Sequence, residues 1–497
     1  MDRRHLAPGL AAFAAAALVA LLGLRAAAGP SQERPRGGTV RMQLLGVNDL
    51  HGHLQPSGDV GGAAWLAGHL DHAAASHPGR TIRVHAGDMY GASPLISTRF
   101  RHASTIDAIN RMQFDVGTVG NHEFDNGGDR LTGLLRRARF PYVSANLVDR
   151  TGRVRLPPYR IVERGGVKIG FLGVTTDTAP RYLLPRFTRR FCFLDMSESV
   201  NRWIPELRRR GVEAIVVLAH SGAFQNGGEG AKAAGEVVDE TRQMSDAVDV
   251  VVAGHTHSYL NTRVGGKLLV QSYSYGMAYD RVELTVDSDS GEVVGSSAEI
   301  SRTYHAGVVP NHAVAAVVRR YARRMTPAAD GVVAIAPRSL SRERGELARV
   351  VARAQRALAR TDLAVVNPGN MRDDLRAGPV TYADLCAIEV YGHPVLRMRL
   401  RGQELRKLLE QQWSDGTTRL YTSGLRYRHD GRRVTEVTDA SGRALHPHRL
   451  YTVAANELIA TGARFSVLRD RGRGKRPVGT DIQALVSYLE HHPGALR

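Results

Sequence analysis

The chain has 497 residues, 43% of them hydrophobic and 23% charged, with a formal net charge of +19. That length suits two or three domains of ~100–200 residues, and the ordinary balance excludes a disordered, fibrous or disulfide-stapled chain. The positive excess is mostly arginine and favours anions, but the runs at 186–190 and 471–476 lack interleaved aromatic residues and read as solvated loops.

At the N-terminus, Asp2-Arg3-Arg4-His5 gives a basic start, residues 10–24 a continuous apolar run, and Ala26-Ala27-Ala28 a small-residue cleavage site. The pattern predicts a signal peptide over 1–28, followed by a polar linker over 29–39. The apolar run is ~15 residues, short of the ~20 that span a bilayer. Membrane contact is therefore expected at most through an uncleaved signal, and the mature protein is expected to be secreted or extracytoplasmic, in the cell envelope. Cys192 and Cys386 lie far apart in the chain and are expected as two buried thiols.

Short runs rich in Val, Ile and Leu follow at 40–47, 81–85, 116–119, 169–174, 214–219 and 250–253. They read as strands, with amphipathic helices at 63–75 and 200–210 and closing strands at 268–271 and 281–286. Together they predict a layered α/β domain over 40–305. A helix at 311–325 carries Val314, Val317, Val318 and Tyr321 on one face and stops at Thr326-Pro327, which makes 306–330 a helical connector. The pattern restarts over 331–497, with helices at 347–358, 402–412 and 481–489 and strands at 363–366 and 451–455, as a second, smaller α/β domain.

Five strand ends in the first domain carry metal-type residues. They are Asn48-Asp49-Leu50-His51-Gly52-His53, His85-Ala86-Gly87-Asp88, Gly120-Asn121-His122-Glu123-Phe124-Asp125, Ala219-His220, and Gly254-His255-Thr256-His257. Strand carboxyl ends are where an open α/β domain gathers ligands. Taken singly each has an ordinary explanation: a histidine hydrogen-bonded in a loop, Asp88 as a helix cap, Asn121 as a turn residue. Five in order, mixing Asp, His and Asn, point instead to metal. Imidazole with carboxylate suits Zn, Mn or Fe, whereas Ca and Mg favour all-oxygen cages.

The ordered set resembles the calcineurin-like metallophosphoesterases, and more narrowly the bifunctional UDP-sugar hydrolase and 5′-nucleotidase family. The resemblance implies a four-layer β-sandwich flanked by helices, followed by a smaller α/β 5′-nucleotidase-type substrate domain. It implies two divalent metal ions, one on Asp49, His51, Asp88 and His257 and the other on Asp88, Asn121, His220 and His255, with Asp88 bridging. His122 is implied as catalytic, oriented by Asp125, with Glu123 behind a ligand. The expected reaction is hydrolysis of phosphate esters of nucleotides or related small molecules by a water deprotonated between two cations. A 2′,3′-cyclic nucleotide phosphodiesterase and a UDP-sugar hydrolase or sugar-phosphate phosphatase are alternatives. A basic polyanion-binding protein with vestigial catalysis is the non-enzymatic one, and the complete ligand set argues against it.

In the second domain, Asn367-Pro368-Gly369-Asn370-Met371-Arg372 resembles the family loop that gives an arginine to the substrate phosphate, with Asn370 replacing a glycine. The loop at 456–465 departs from the family. It is one residue shorter, with Leu458 at a base-stacking phenylalanine and Arg464 near the ribose-binding aspartate. Tyr421 and Phe465 are the remaining stacking candidates, and Tyr391 and His393 could build a different pocket. The expected partner is a small-molecule phosphate ester bound by a monomer, with no specific nucleic acid.

Overall fold

In this computed structural model, residues 38–325, 330–413 and 419–497 are described, so the expected signal peptide and nearly all of the linker lie outside them. Two six-stranded sheets face each other in the first half. Their strands are β1 (Thr39–Val47), β2 (Thr81–His85), β3 (Val116–Thr118), β4 (Tyr142–Val143), β5 (Tyr159–Arg164), β6 (Val167–Thr175), β7 (Ala214–His220), β8 (Val250–Ala253), β9 (Tyr259–Val264), β10 (Lys267–Ser272), β11 (Ala278–Asp287) and β12 (Val293–Arg302). One sheet runs β12-β11-β1-β2-β3-β4 and the other β9-β10-β8-β7-β6-β5.

The inner strands are parallel: β1 with β2, β2 with β3, β6 with β7, and β7 with β8 and β8 with β10. Parallel strands covered on both faces read as continuous apolar runs, and in β7, Ala-Ile-Val-Val-Leu-Ala-His, every residue is buried. Side chains alternate faces along β1. Met42 and Leu44 enter the core between the sheets with Phe171, Val216 and Val252, while Leu45 and Val47 pack outward under helices. The helices Ala63–Ala75, Ala103–Ile109 and His312–Ala322 cover that sheet, and Met196–Arg209 and Glu236–Gln243 cover the other. The result is helix, sheet, sheet, helix, the four layers the resemblance implied.

The second half has a five-stranded sheet of β13 (Leu363–Val366), β14 (Pro394–Arg401), β15 (Tyr421–Ser423), β16 (Leu450–Asn456) and β17 (Arg473–Thr480), in the order β15-β13-β16-β14-β17. Helices Glu346–Ala359 and Asp481–His491 pack on one face, and helix Gly402–Glu410 on the other. Among the described residues no helix is long and apolar enough to cross a membrane.

Two expectations need correction. The basic runs are not wholly solvated loops: the run at 186–190 begins in the helical turn Pro185–Thr188 with Arg186 paired to Glu457, and Arg473 begins β17, which pairs with β14, its guanidinium forking onto Glu404 at 2.7 Å. Cys192 is exposed and Cys386 half-buried, and both are free. Phe191 and Phe193 pack their rings on Phe124 at 5.5 and 5.3 Å, so the two-residue period turns the intervening Cys192 outward.

Candidate metal centre and the cleft above it

All seven metal-type residues named from the sequence meet at the carboxyl ends of β1, β2, β3, β7 and β8. Asp49, His51 and His257 form one group, and Asp88, His220 and His255 the other, with the ligand atoms of each group within 4.8 Å of one another. Asn121 joins the second, its Oδ1 3.1 Å from His220 Nε2. The groups meet at Asp88, whose Oδ2 is 3.0 Å from His220 Nε2 and 3.7 Å from His51 Nε2. That oxygen therefore faces both groups.

The hydrogen bonds fix which ring nitrogens point inward. His51 donates Nδ1–H to the Gly91 carbonyl and His220 donates Nδ1–H to the Ala86 carbonyl, both at 2.8 Å. In the neutral rings Nε2 then carries a lone pair. His51 Nε2 nevertheless lies 3.1 Å from His257 Nε2, and His220 Nε2 looks at the oxygens of Asp88 and Asn121. Asp49 Oδ1 is buried without a hydrogen-bond partner. Converging acceptors with no donor between them fit a cation at each group, and the N/O donor set fits Zn, Mn or Fe.

Electrostatics agree. Burial pushes His51 down to about 4 and His255 down to about 3, so both rings are neutral. Burial also opposes charge on Asp88, but His220 and His122 hold its carboxyl below the usual range. On His220 burial is outweighed by Asp88 and Asp49, which carry the ring up to about 10. Two carboxylates thus require positive charge at that point, a requirement a divalent cation would meet.

The loops are held tightly. Glu123 accepts from the backbone N–H of Asp88 and Met89 at 2.9 Å and of Gly120 at 2.6 Å, tying the ends of β2 and β3 together. A Cβ at Gly120 would lie 2.2 Å from Asp88 Oδ1 and 2.7 Å from His220 Nε2, so only glycine fits there. Asp49, His51, Asp88, His255 and His257 all have left-handed backbones, with φ of 50°, 48°, 51°, 79° and 56°. Such conformations cost non-glycine residues energy and cluster at functional sites.

Beside the metal groups, His122 Nδ1 is 2.9–3.0 Å from both Asp125 carboxylate oxygens, and Asp125 in turn accepts from Ala92 N–H at 3.0 Å. From the second half, Arg372 places Nη2 2.8 Å from His122 Nε2 and donates Nε–H to Tyr391 at 3.0 Å. A cleft of about 290 Å³ opens here between the two halves, walled by Asp88, His122, His255, Arg372, Tyr391 and Arg464 among others.

Two of the sequence-named substrate residues are elsewhere. Phe465 is 1% exposed, inside the second-half core with Leu468. Tyr421, on β15, lays its ring over Gly345 and under Arg349. Neither lines the cleft. Arg181, Tyr182 and Tyr275 were not foreseen. The first two line the cleft, and Tyr275 stacks on His53 at 4.0 Å and stands 5.2 Å from the His257 ring. The sequence did hold a signal for Tyr275, because Tyr273-Ser274-Tyr275-Gly276 follows β10 as the ligands follow their strands.

Known proteins match this chain in both halves. Residues 42–259 match the model of the calcineurin-like phosphoesterases, and 326–468 that of the 5′-nucleotidase C-terminal domain. The chain is 31% identical over 487 residues to "Endonuclease YhcR" of Bacillus subtilis, covering 91% of itself but 40% of that protein's length. It is 30% identical over 533 residues to "Cell wall protein Lmo0130" of Listeria monocytogenes, covering 92% of itself and 68% of the relative. Among solved structures, a 5′-nucleotidase precursor from Thermus thermophilus superposes with a TM-score of 0.78 at 27% identity, over 91% of this chain and 96% of that one.

Proposed function

The chain belongs to the calcineurin-like phosphoesterases that carry a 5′-nucleotidase C-terminal domain, a family of metal-dependent hydrolases, and from that premise we propose that it hydrolyses phosphate esters of nucleotides. The observation that carries this reading is the pair of ligand groups facing one Asp88 oxygen, with His122 and Arg372 beside them at the cleft floor. On this reading Asp49, His51, Asp88 and His257 would hold one divalent cation and Asp88, Asn121, His220 and His255 the other, and bound there the cations would supply Lewis-acid polarisation of the phosphoryl group and a water of lowered pKa.

The chain's own groups do the rest. Arg372 binds the phosphate, turning its guanidinium from His122 to the phosphoryl oxygens. His122, held by Asp125 at Nδ1, is then free at Nε2 to take up a proton from solvent and pass it to the departing oxygen. Glu123 fixes the loops that carry Asp88 and Gly120. The domain limits read from the sequence, 40–305, 306–330 and 331–497, belong to the proposal, as does export to the cell envelope, which the N-terminal pattern supports. A hydrolysis panel on the mature protein reconstituted with Zn, Mn or Fe tests the reading, using AMP, a 2′,3′-cyclic nucleotide, a UDP-sugar and an aryl phosphate. Turnover of AMP is expected. Metal bound at both groups with no turnover of any ester would overturn it.

A further inference from the structure

Beyond His122 and Tyr391 lies a second, larger cavity, of about 620 Å³, that contains none of the metal-type ligands. Four arginines line it: Arg99, Arg101, Arg130 and Arg186. Arg186 reaches Glu457 across the two halves. Among the described residues, Arg99, Arg101 and Arg130 make no ion pair with a carboxylate. Burial and the neighbouring charge of Arg101 instead hold Arg130 below its ordinary range. The carboxyls on the wall do not balance this charge. Asp125 is engaged with His122, and burial together with Asp481 pushes Glu389 far above its usual value.

The wall between the two cavities is aromatic. Tyr391 lines both, and its ring stacks on His393 at 5.0 Å and 7°. A flat ring flanked by cationic side chains is the arrangement that holds single-stranded nucleic acid, where the cations track phosphates and the rings meet bases. The cavity adjoins the metal cleft through Tyr391 and reaches Asp125, the partner of His122 Nδ1.

We propose that this cavity receives the nucleotide adjoining the scissile phosphate of a single-stranded oligonucleotide, with its phosphate on Arg101 and Arg130 and its base beside Tyr391. The proposal rests on the phosphoesterase reading above: the metal cleft takes the phosphate that is cleaved, and the second cavity takes the next one. It departs from the expectation of no specific nucleic acid. The arginines in question are scattered in sequence at 99, 101 and 130 and are gathered only by the fold, so no charge run announces them.

The test compares AMP with a short single-stranded oligonucleotide, in the wild type and in an Arg101→Asn, Arg130→Gln double variant. Asparagine tolerates the left-handed φ of 52° at position 101, and glutamine is a good helix former in Gly128–Arg137, so folding is preserved. The wild type is expected to cleave both substrates. The variant is expected to lower the ratio of kcat/KM for oligonucleotide over AMP by about 10²-fold, roughly tenfold per lost charged contact. The salt dependence of oligonucleotide KM should flatten by about 0.7 per arginine removed. A wild type that turns over AMP but not the oligonucleotide, or a ratio the variant leaves unchanged, overturns the inference and leaves the phosphoesterase reading standing. Inorganic polyphosphate competing with the same arginine dependence overturns the nucleic-acid assignment. Failure on AMP with cleavage of the oligonucleotide supports the second cavity and removes the preference for small esters.

Discussion

His122 Nε2 accepts a hydrogen bond from Arg372 Nη2 at 2.8 Å, so the two halves of the chain meet at this ring. With Nδ1 at Asp125 and Nε2 occupied by a guanidinium, the ring has both nitrogens engaged until something draws Arg372 away. A bound phosphate is such a partner, because a bidentate charged contact outweighs a neutral nitrogen acceptor.

The two residues should therefore fail differently. His122→Ala is expected to keep its metals and to lose ~10²–10⁴-fold in kcat, most for poor leaving groups such as a ribose oxygen and least for an aryl phosphate. Arg372→Met is expected to raise KM for every ester alike. Steady-state kinetics on AMP and an aryl phosphate separate them, and equal losses on both substrates for His122→Ala would reduce its role to electrostatic support.

Glu123 holds backbone amides rather than ligand side chains, yet it should control metal affinity. Glu123→Gln presents an NH₂ group to backbone donors that now face a carboxylate at 2.6–2.9 Å. The loops carrying Asp88 and Asn121 would loosen, with an expected ~10–100-fold fall in metal affinity. Titration against a chelator measures this. Unchanged affinity in a folded variant would mean that the loops hold their shape without the clamp.

Asp249, at the edge of β8, accepts from Ile215 N–H at 2.8 Å, and burial pushes its carboxyl up to about 6. Between the unfolded pKa near 3.8 and about 6 the folded protein binds the extra proton, so stability falls as pH rises through this window and is level above it. Asp249→Asn keeps the acceptor and removes the charge. It is expected to stabilise the protein by about 3 kcal/mol at pH 7 and by little below pH 4. Thermal melts at both pH values check this, and an equal shift at the two would assign the effect to packing.

Base preference should be weak among mononucleotides. Phe465 is sealed in a core and Tyr421 is turned to Gly345, which removes two stacking contacts of ~1–3 kcal/mol each. AMP, GMP, CMP and ribose 5-phosphate should then differ in kcat/KM by less than about tenfold. A strong preference for one base over bare ribose phosphate would reveal a base pocket built from Tyr182 or Tyr391.

The sequence showed the catalytic half more fully than the substrate half, for a physical reason. Inner parallel strands such as Ala214–His220 are buried on both faces, so their apolar runs and the ligands at their ends stand out. The edge strands Tyr159–Arg164 and Val293–Arg302 are half-covered, their residues alternate, and no run marks them. Arg473–Thr480 carries charge on both faces and hides in the same way. Phe465 was misplaced because a loop position says nothing about which way a ring points, and its neighbours Leu468 and Ile459 draw it inward. Glu123 was expected behind a ligand by resemblance, but its hold on four backbone amides depends on two loops distant in sequence meeting at one carboxylate.

The left-handed backbone at Asp49, His51, Asp88, His255 and His257 bears on how this site would decay. At each of these five places the conformation favours glycine or asparagine, while ligand chemistry, with backbone bonds such as His122 N–H to Asp88 and His255 N–H to Asp49, favours the residue present. A descendant released from catalysis would gain stability by exchanging them, and would do so here before drifting in the cores. Aspartate and histidine retained at all five in related chains would therefore mark sites still under selection for bound metal, and glycine or asparagine there would date the loss of activity ahead of any change in fold.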